Sequence, residues 1–518
     1  MPPRRREVAG LAGLGRALAR FLPLRPLLEA RVVLGVVALV YAAFCLMHAA
    51  DRVADPDVLW VAAAGRDILS TGHAPTANGY AFTAPMHPWV MHEWLFGVVY
   101  AGLAKVFGVR AFGLMITAVD GLQMTLLAVA LGTQTKRLSA WALAMVLVVV
   151  GLNASLFQTR PPFVALAFVT LMVAIVFRPG WSYGRALAAA GIELVWANAH
   201  GSFPLGVLLV FASAFSEARA RGTRERSHRL ASAAACAAVT VLNPYGLRLH
   251  ALVLHYAAGD SDISRWIHGS ILEFRPLWEA VPVYATWAQV AGLLVILLLA
   301  ASALRRRRFM VRALFVLAWV VLAIAQARNV SLAVLLGGLL LAGEIDALTT
   351  ERGLPAGEPL PPARRMLAVM IPMVVLGVAF AAWTTRARPD DAWLADDLGG
   401  ASLARLVRAL PDGARVFTLF QPSGAVLWEG AGRGVLVYYD PRNDCYPVDV
   451  AKDASRLEFQ RLAPDVAAAL LEQRGTEYVL APGAHPLTRA LLESGRFREA
   501  GSDGDWTTLR AAHTEGPR

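Results

Sequence analysis

The chain has 518 residues, of which 57% are hydrophobic and only 17% charged, and its mean hydropathy is +0.50. That balance excludes an ordinary soluble globule and fits repeated apolar runs of the ~20 residues that a bilayer demands. The net charge of +11 does not mark a nucleic-acid binder. Its arginines cluster in short loops between apolar runs, as on the cytoplasmic side of a membrane protein.

In chain order, residues 1–31 form a basic amphipathic segment on the cytoplasmic face, with Arg4, Arg5, Arg6, Arg16, Arg20 and Arg25 among leucines. Val32–Ala50 follows as a retained anchor, because no short apolar core with a small-residue cleavage site precedes it. Its exit places the polar stretch Asp55–Trp94 outside the cytoplasm. Within it, Asp57 to Ser70 reads as a short helix, with Leu59, Ala63 and Ile68 toward the membrane and Arg66 and Asp67 toward water. Gly72, Pro75 and Gly79 then break the chain into turns.

Further apolar segments occupy residues 94–107, 112–131, 141–156, 163–177, 186–196, 203–215, 230–242, 287–304, 309–325, 330–342 and 367–383. They predict roughly 11 to 13 spans, with 94–107 short enough to be partial or re-entrant. Basic loops at 178–185, 219–229 and 305–308, and Arg364 with Arg365, lie on the cytoplasmic side. The motifs QTRPP, WANAHGS, LNPYG and QARN then fall on the same outer side as the Asp55 loop. From residue 386 the composition becomes that of soluble sequence. RVFTLF, GVLVYYD and EYVLAP read as buried strands among helical patterns at 401–410, 465–473 and 486–494. The expected fold is therefore a polytopic α-helical membrane domain over 32–385, with an outer loop at 51–93, and a small α/β domain over 386–518 on the outer side.

Asp55 and Asp57 lie two residues apart across a proline. In an extended segment both carboxylates face one side, where they can share a divalent cation (Mg or Mn) or divide base and metal roles. The competing reading is helix capping. His92 and Glu93 stand at the start of an apolar segment, either as interfacial anchors with Trp89 and Trp94 or as site groups. Arg160, Asn198, His200, Asn243, Tyr245, Arg328 and Asn329 lie at or near ends of apolar segments. Polar groups there face a protein interior or a cavity, and arginine suits a phosphate. Snorkelling for Arg160 and Arg328, and interhelical hydrogen bonding for Asn198 and Asn243, are the plainer readings. Asp440 and Arg442 in YYDPRNDCY read as a structural ion pair, the alternative being a contact to the membrane site. The cysteines Cys45, Cys236 and Cys445 have no metal-ligand spacing.

An N-terminal span followed by D-x-D, a short helix, G-x-x-P and P-W-x-x-H-E-W-L resembles bacterial multi-pass glycosyltransferases of the GT-C superfamily. The RPP of Arg160–Pro162, WANAHGSFPLG, NPYG, ARN and SGAVLWEGAGRGVLVYYDPRNDCY resemble one bacterial branch of it. The resemblance implies an inverting transferase in the bacterial inner membrane, N-terminus cytoplasmic. It would take sugar from a polyprenyl-phosphate donor to a glycan, lipid or protein acceptor, with Asp55 or Asp57 as the catalytic carboxylate. Asn78-Gly79-Tyr80 departs from the branch, which often has a second acidic residue there. A transporter or flippase, or a non-catalytic assembly factor for envelope polysaccharide, is the alternative. Against a transporter, no inverted repeat or matching pair of broken helices is evident.

Overall fold

A computed structural model describes residues 52–512 except 153–159, 217–221 and 353–358, together with Gly35 and Leu39. The basic N-terminal segment, almost all of the first expected span, Cys45, and Gln158 and Thr159 of QTRPP lie outside the described residues. The chain is mostly helical, with one five-stranded sheet near its end.

Among the described residues, three helices are long and apolar enough to cross a membrane: Arg110–Gln134, Trp287–Arg305 and Ala363–Thr384. Ala327–Leu340 and Ala342–Glu351 together make a fourth such length, bent by 53°. Shorter apolar helices are Trp94–Phe107, Leu138–Leu152, Leu166–Val176, Pro204–Phe215 and Met310–Ala325. Not every basic residue near the expected cytoplasmic loops reaches water. Arg229 and Arg312 are buried and donate to the last carbonyls of the Leu166–Val176 helix and the residues after it: Arg229 to Val176 and Arg178, Arg312 to Phe177. A cation is suited to that helix end, where carbonyls lack intrahelical partners.

The short helix after the D-x-D runs Pro56–Thr71. Pro56 at its first position and Asp55 as N-cap set its start, the Asp55 carboxylate accepting from the Asp57 amide at 2.8 Å. Leu59, Ala63 and Ile68 do not face lipid: they are buried. On one side the helix meets Trp94–Phe107 where two glycines cross; a Cβ on Gly65 would stand 1.9 Å from the Gly97 carbonyl oxygen. On the other side lies the Ser423–Gly430 helix, where a Cβ on Gly424 would stand 2.3 Å from the Pro56 carbonyl oxygen. Arg66 stacks 3.3 Å over the Trp428 ring and donates to the Trp428 carbonyl at 3.0 Å. The helix is thus clamped between membrane helices and the C-terminal part.

That part holds a sheet in the order β2-β1-β3-β5-β4. β1 (Arg415–Thr418) pairs in parallel with β2 (Leu436–Val437) and β3 (Tyr478–Pro482). β4 (Phe497–Asp503) and β5 (Trp506–Ala511) form an antiparallel hairpin turning at Gly504, whose φ is 56°. The edge strand β2 is not open. Ala81 of the outer loop bridges Val437, with Phe82 N–H donating to the Val437 carbonyl and Val437 N–H to the Tyr80 carbonyl. Asn78 donates to the Cys445 carbonyl. The loop therefore extends the sheet.

Candidate active site

One cavity of about 1080 Å³ lies between the helices and the C-terminal part. Asp55, Asp57, His92, Glu93, Arg160, His200, Arg328 and Asn329 line it, although the sequence spreads them over more than 270 residues. The remaining three candidates do not. Asn198 accepts from the Trp94 indole at 3.1 Å and donates to the Leu194 and Leu242 carbonyls, which makes it interhelical bonding. Asn243 closes the NPYG turn by donating to the Thr240 and Gly246 carbonyls. Tyr245 donates to the Pro75 carbonyl at 2.8 Å and ties that turn to the outer loop.

The carboxylates are held by an unbroken chain of charge. Arg160 Nε donates to Asp57 Oδ2 at 2.6 Å and lies 3.9 Å from Asp55 Oδ2. Its Nη1 donates to Glu273 at 3.2 Å, and Arg328 approaches the other Glu273 oxygen at 3.7 Å while resting 4.2 Å over the Phe274 ring. The other Asp57 oxygen accepts from the Trp60 indole at 3.0 Å. Both carboxyls are raised chiefly by burial. Asp57 has the shorter ion pair to Arg160, so the proton goes to Asp55, which is pushed up to about 7 by burial and by the neighbouring Asp57 charge. Asp55 therefore both caps the helix and presents an oxygen, Oδ2, with no hydrogen bond among the described residues. Capping and site duty are compatible.

Beside this chain stands a second group. Glu93 Oε1 lies 3.5 Å from His92 Nε2 and 3.6 Å from His200 Nε2. Burial pushes His200 down to about 3. Burial alone would also lower His92, but the adjacent Glu93 carboxylate more than offsets it and holds His92 above its usual value. Burial would raise Glu93, but His92 holds it below the usual carboxylate range. The His200 proton can be placed: Nδ1 faces the Ser202 amide N–H at 3.1 Å, which must donate, so the ring proton sits on Nε2 toward Glu93. Trp196 supports this arrangement by donating to the Ser202 hydroxyl at 3.0 Å.

The three side chains offer atoms within 4.8 Å of one another, a spacing that one divalent cation can bridge. Binding through His200 Nε2 requires moving its proton to Nδ1, against the Ser202 amide. At Asp55 and Asp57 the cationic place is taken by the Arg160 guanidinium. The interfacial-anchor reading fails for Trp89, which is 3% exposed and packs on Trp60 and Tyr80 and under Arg442.

Among the lining residues that the sequence did not single out are Glu273, Tyr256 and Tyr284, on the segment between two apolar runs, and Asp444. The Asp440–Arg442 pair is buried, with Arg442 Nε donating to Asp440 at 2.8 Å and the guanidinium 4.8 Å over both Tyr80 and Trp89. The structural reading of that pair matches its geometry, and Arg442 also lines the cavity, as the alternative reading expected.

No family model and no curated protein sequence matches the chain. Solved structures do. The Archaeoglobus fulgidus oligosaccharyltransferase AglB, in complex with an inhibitory peptide and a dolichol-phosphate, superposes with a TM-score of 0.54 at 11% identity, covering 94% of this chain and 75% of its own. ArnT from Cupriavidus metallidurans, bound to undecaprenyl phosphate, gives 0.51 at 15% identity, covering 94% and 99%. The A. fulgidus oligosaccharyltransferase with Zn and sulfate gives 0.51 at 12% identity, covering 86% and 68%. At such identities the likeness is one of fold. The chain shares the fold of these proteins, and among the described residues three of its helices are long and apolar enough to cross a membrane.

Proposed function

We propose that the protein is a membrane glycosyltransferase that moves a sugar from a polyprenyl-phosphate donor to an acceptor on the outer face of the bacterial inner membrane. The observation that carries this reading is Asp55: a carboxyl near neutrality with a free oxygen, 3.9 Å from Arg160, in a cavity shared with Arg328. The fold shared with transferases that bind polyprenyl or dolichol phosphates supports it.

In this reading Asp55 Oδ2 takes the proton of an acceptor hydroxyl, and the oxygen attacks the anomeric carbon as its bond to phosphate breaks. The configuration inverts. Polyprenyl phosphate leaves with the electron pair, and its charge develops beside Arg160 and Arg328. Asp57 and Glu273 hold Arg160 in place, making them positioning residues. His92, Glu93 and His200 flank the acceptor path. The donor set that suits a divalent cation is these three, which with two imidazoles favours a zinc-like ion over Mg or Mn. Such an ion would lock the two rings onto Glu93. We further assign 32–385 to the membrane domain, with the shorter apolar helices completing the 11 to 13 crossings by inclusion in the bundle. Residues 386–518 lie on the periplasmic side and the N-terminus is cytoplasmic.

The test is transfer by protein in lipid nanodiscs from a panel of radiolabelled polyprenyl-phosphate sugars to an envelope extract. Asp55→Asn is expected to lower transfer about 10²- to 10⁴-fold with the thermal melt unchanged. Undiminished transfer in Asp55→Asn would remove the outer loop from the chemistry.

A further inference from the structure

The cavity has a second wall that the transfer chemistry does not use. Trp266, Phe420, Tyr439 and Phe459 line it with aromatic surface, and Glu458 and Asp444 stand between them. Trp266 meets Tyr439 edge-to-face at 6.3 Å, and Phe420 lies 5.9 Å from Tyr439. One Glu458 oxygen accepts from the Phe420 amide at 2.9 Å, which fixes the carboxyl while the other oxygen has no hydrogen bond among the described residues. Burial pushes Glu458 up to about 7 and raises Asp444.

We infer that this wall is an acceptor subsite for a glycan built of neutral or amino sugars, which rests on the transferase reading above. Sugar rings present C–H faces to aromatic π-systems and hydroxyls at their rims to carboxyl and amide groups. Aromatic surface interleaved with single, separated hydrogen-bonding groups matches that pattern. A lipid acceptor would want continuous aliphatic surface, whereas the C-terminal part contributes only the small aliphatic side chains Ala451 and Ala454, the larger Leu252, Val253, Ile271, Leu272 and Val283 lining the cavity from the helical part. An extended peptide would want an open sheet edge to pair with. The edge next to the cavity, β2, is already covered by residues 80–82. Arg442 of this wall pairs with Asp440 through Nε and Nη2, and Glu458 and Asp444, raised by burial, offer groups that bond hydroxyls where an acidic sugar would want further cations.

The experiment follows the label. Nanodisc enzyme, radiolabelled polyprenyl-phosphate sugars and an envelope extract are incubated, product is separated by size from unreacted donor and free sugar, and equal portions are digested with protease or extracted with organic solvent. Label is expected in material resistant to protease and insoluble in organic solvent. Trp266→Ala is expected to raise the acceptor KM about tenfold, a loss of roughly 1.4 kcal/mol, with kcat moving less than KM. Trp266→Phe should recover most of the affinity. Protease-sensitive label would assign a protein acceptor, and solvent-extractable label a lipid; either overturns the proposal, as does an unchanged KM in Trp266→Ala. Absence of both transfer and donor hydrolysis in the wild type would instead bring down the transferase reading itself.

Discussion

The two walls of the cavity treat charge in opposite ways. On the helical side every charged group is tied to another: Asp57 to Arg160, Arg160 to Glu273, Glu273 to Arg328. On the outer side Glu458 and Asp444 stand among aromatic rings, with no charged partner within ion-pair distance among the described residues, and Asp444 feels His92 only at longer range. An ionised group facing low dielectric is expensive unless paired, so the helical wall keeps its charge by balancing it. The outer wall has no such counter-charge, and its carboxyls rise toward the neutral form, as Asp55 alone does so far on the helical side, where Asp57 keeps the shorter pair to Arg160. Fixed charge suits a departing phosphate; groups that donate or accept at need suit hydroxyls.

The comparison is broken most severely at Arg160. Arg160→Ala strips Asp57 of its cation and leaves Glu273 with Arg328 alone, and transfer is expected to fall at least ~100-fold. Stability should fall by about 3–5 kcal/mol. Arg160→Lys, a point charge that cannot reach both carboxylates in parallel, should recover stability more than rate. Melting curves and single-turnover transfer read the two separately. Equal recovery of both would mean that the fork geometry is idle.

The clamp that brings the walls together is the next target. Gly424→Val places side-chain atoms against the Pro56 carbonyl and is expected to destabilise by about 1–3 kcal/mol. Because Pro56 separates the two aspartates, transfer should fall further than the melt alone explains. An unchanged Tm would show that the Ser423–Gly430 helix is not seated there.

The pH profile sharpens the contrast. Asp55 acts as base only when deprotonated and its carboxyl is raised to about 7, so kcat/KM should climb about tenfold per unit below that value and level off above it. His200, pushed down to about 3, stays neutral throughout and adds no limb. A rate independent of pH between about 5.5 and 8.5 would deny Asp55 the role of base.

The smallest effect is expected at Tyr245. Tyr245→Phe removes one hydrogen bond to Pro75, costing about 1 kcal/mol, and should leave kcat unaltered, as fits a residue outside the cavity. A loss of rate without loss of stability would move Tyr245 into the site.

Much of the helical wall was legible because bilayer chemistry is simple: apolar runs mark helices, and polar residues at their ends have few places to go. The D-x-D helix is found within two residues of its expected bounds, yet its Leu59 and Ile68 pack against protein, since a periodic apolar face does not say what covers it. Residues 247–286 were opaque for the converse reason. Leu247–Ala258 and Asp262–Ser270 are amphipathic helices lying between apolar runs, and nothing local marks Glu273, Tyr256 or Trp266 as facing a site. Asn198 and Asn329 share the same signature, polar groups at helix ends, but only tertiary packing decides that one bonds helices and the other lines the cavity. The β4–β5 hairpin was missed because its outer face is polar, though Asp503-Gly504-Asp505 carries the turn chemistry.

The loop that covers β2 also sets a schedule. Asn78 and its partner Cys445 are 367 residues apart, so a ribosome adding about 5–20 residues per second finishes the loop well before the strand exists. During that interval the membrane helices can be inserted and the carboxylates are in place, but the aromatic wall is missing and Pro56 has nothing seated on it. The site closes only when the last hundred residues arrive. A chain that stalls early therefore lacks both the aromatic wall of the cavity and the helix that seats on Pro56.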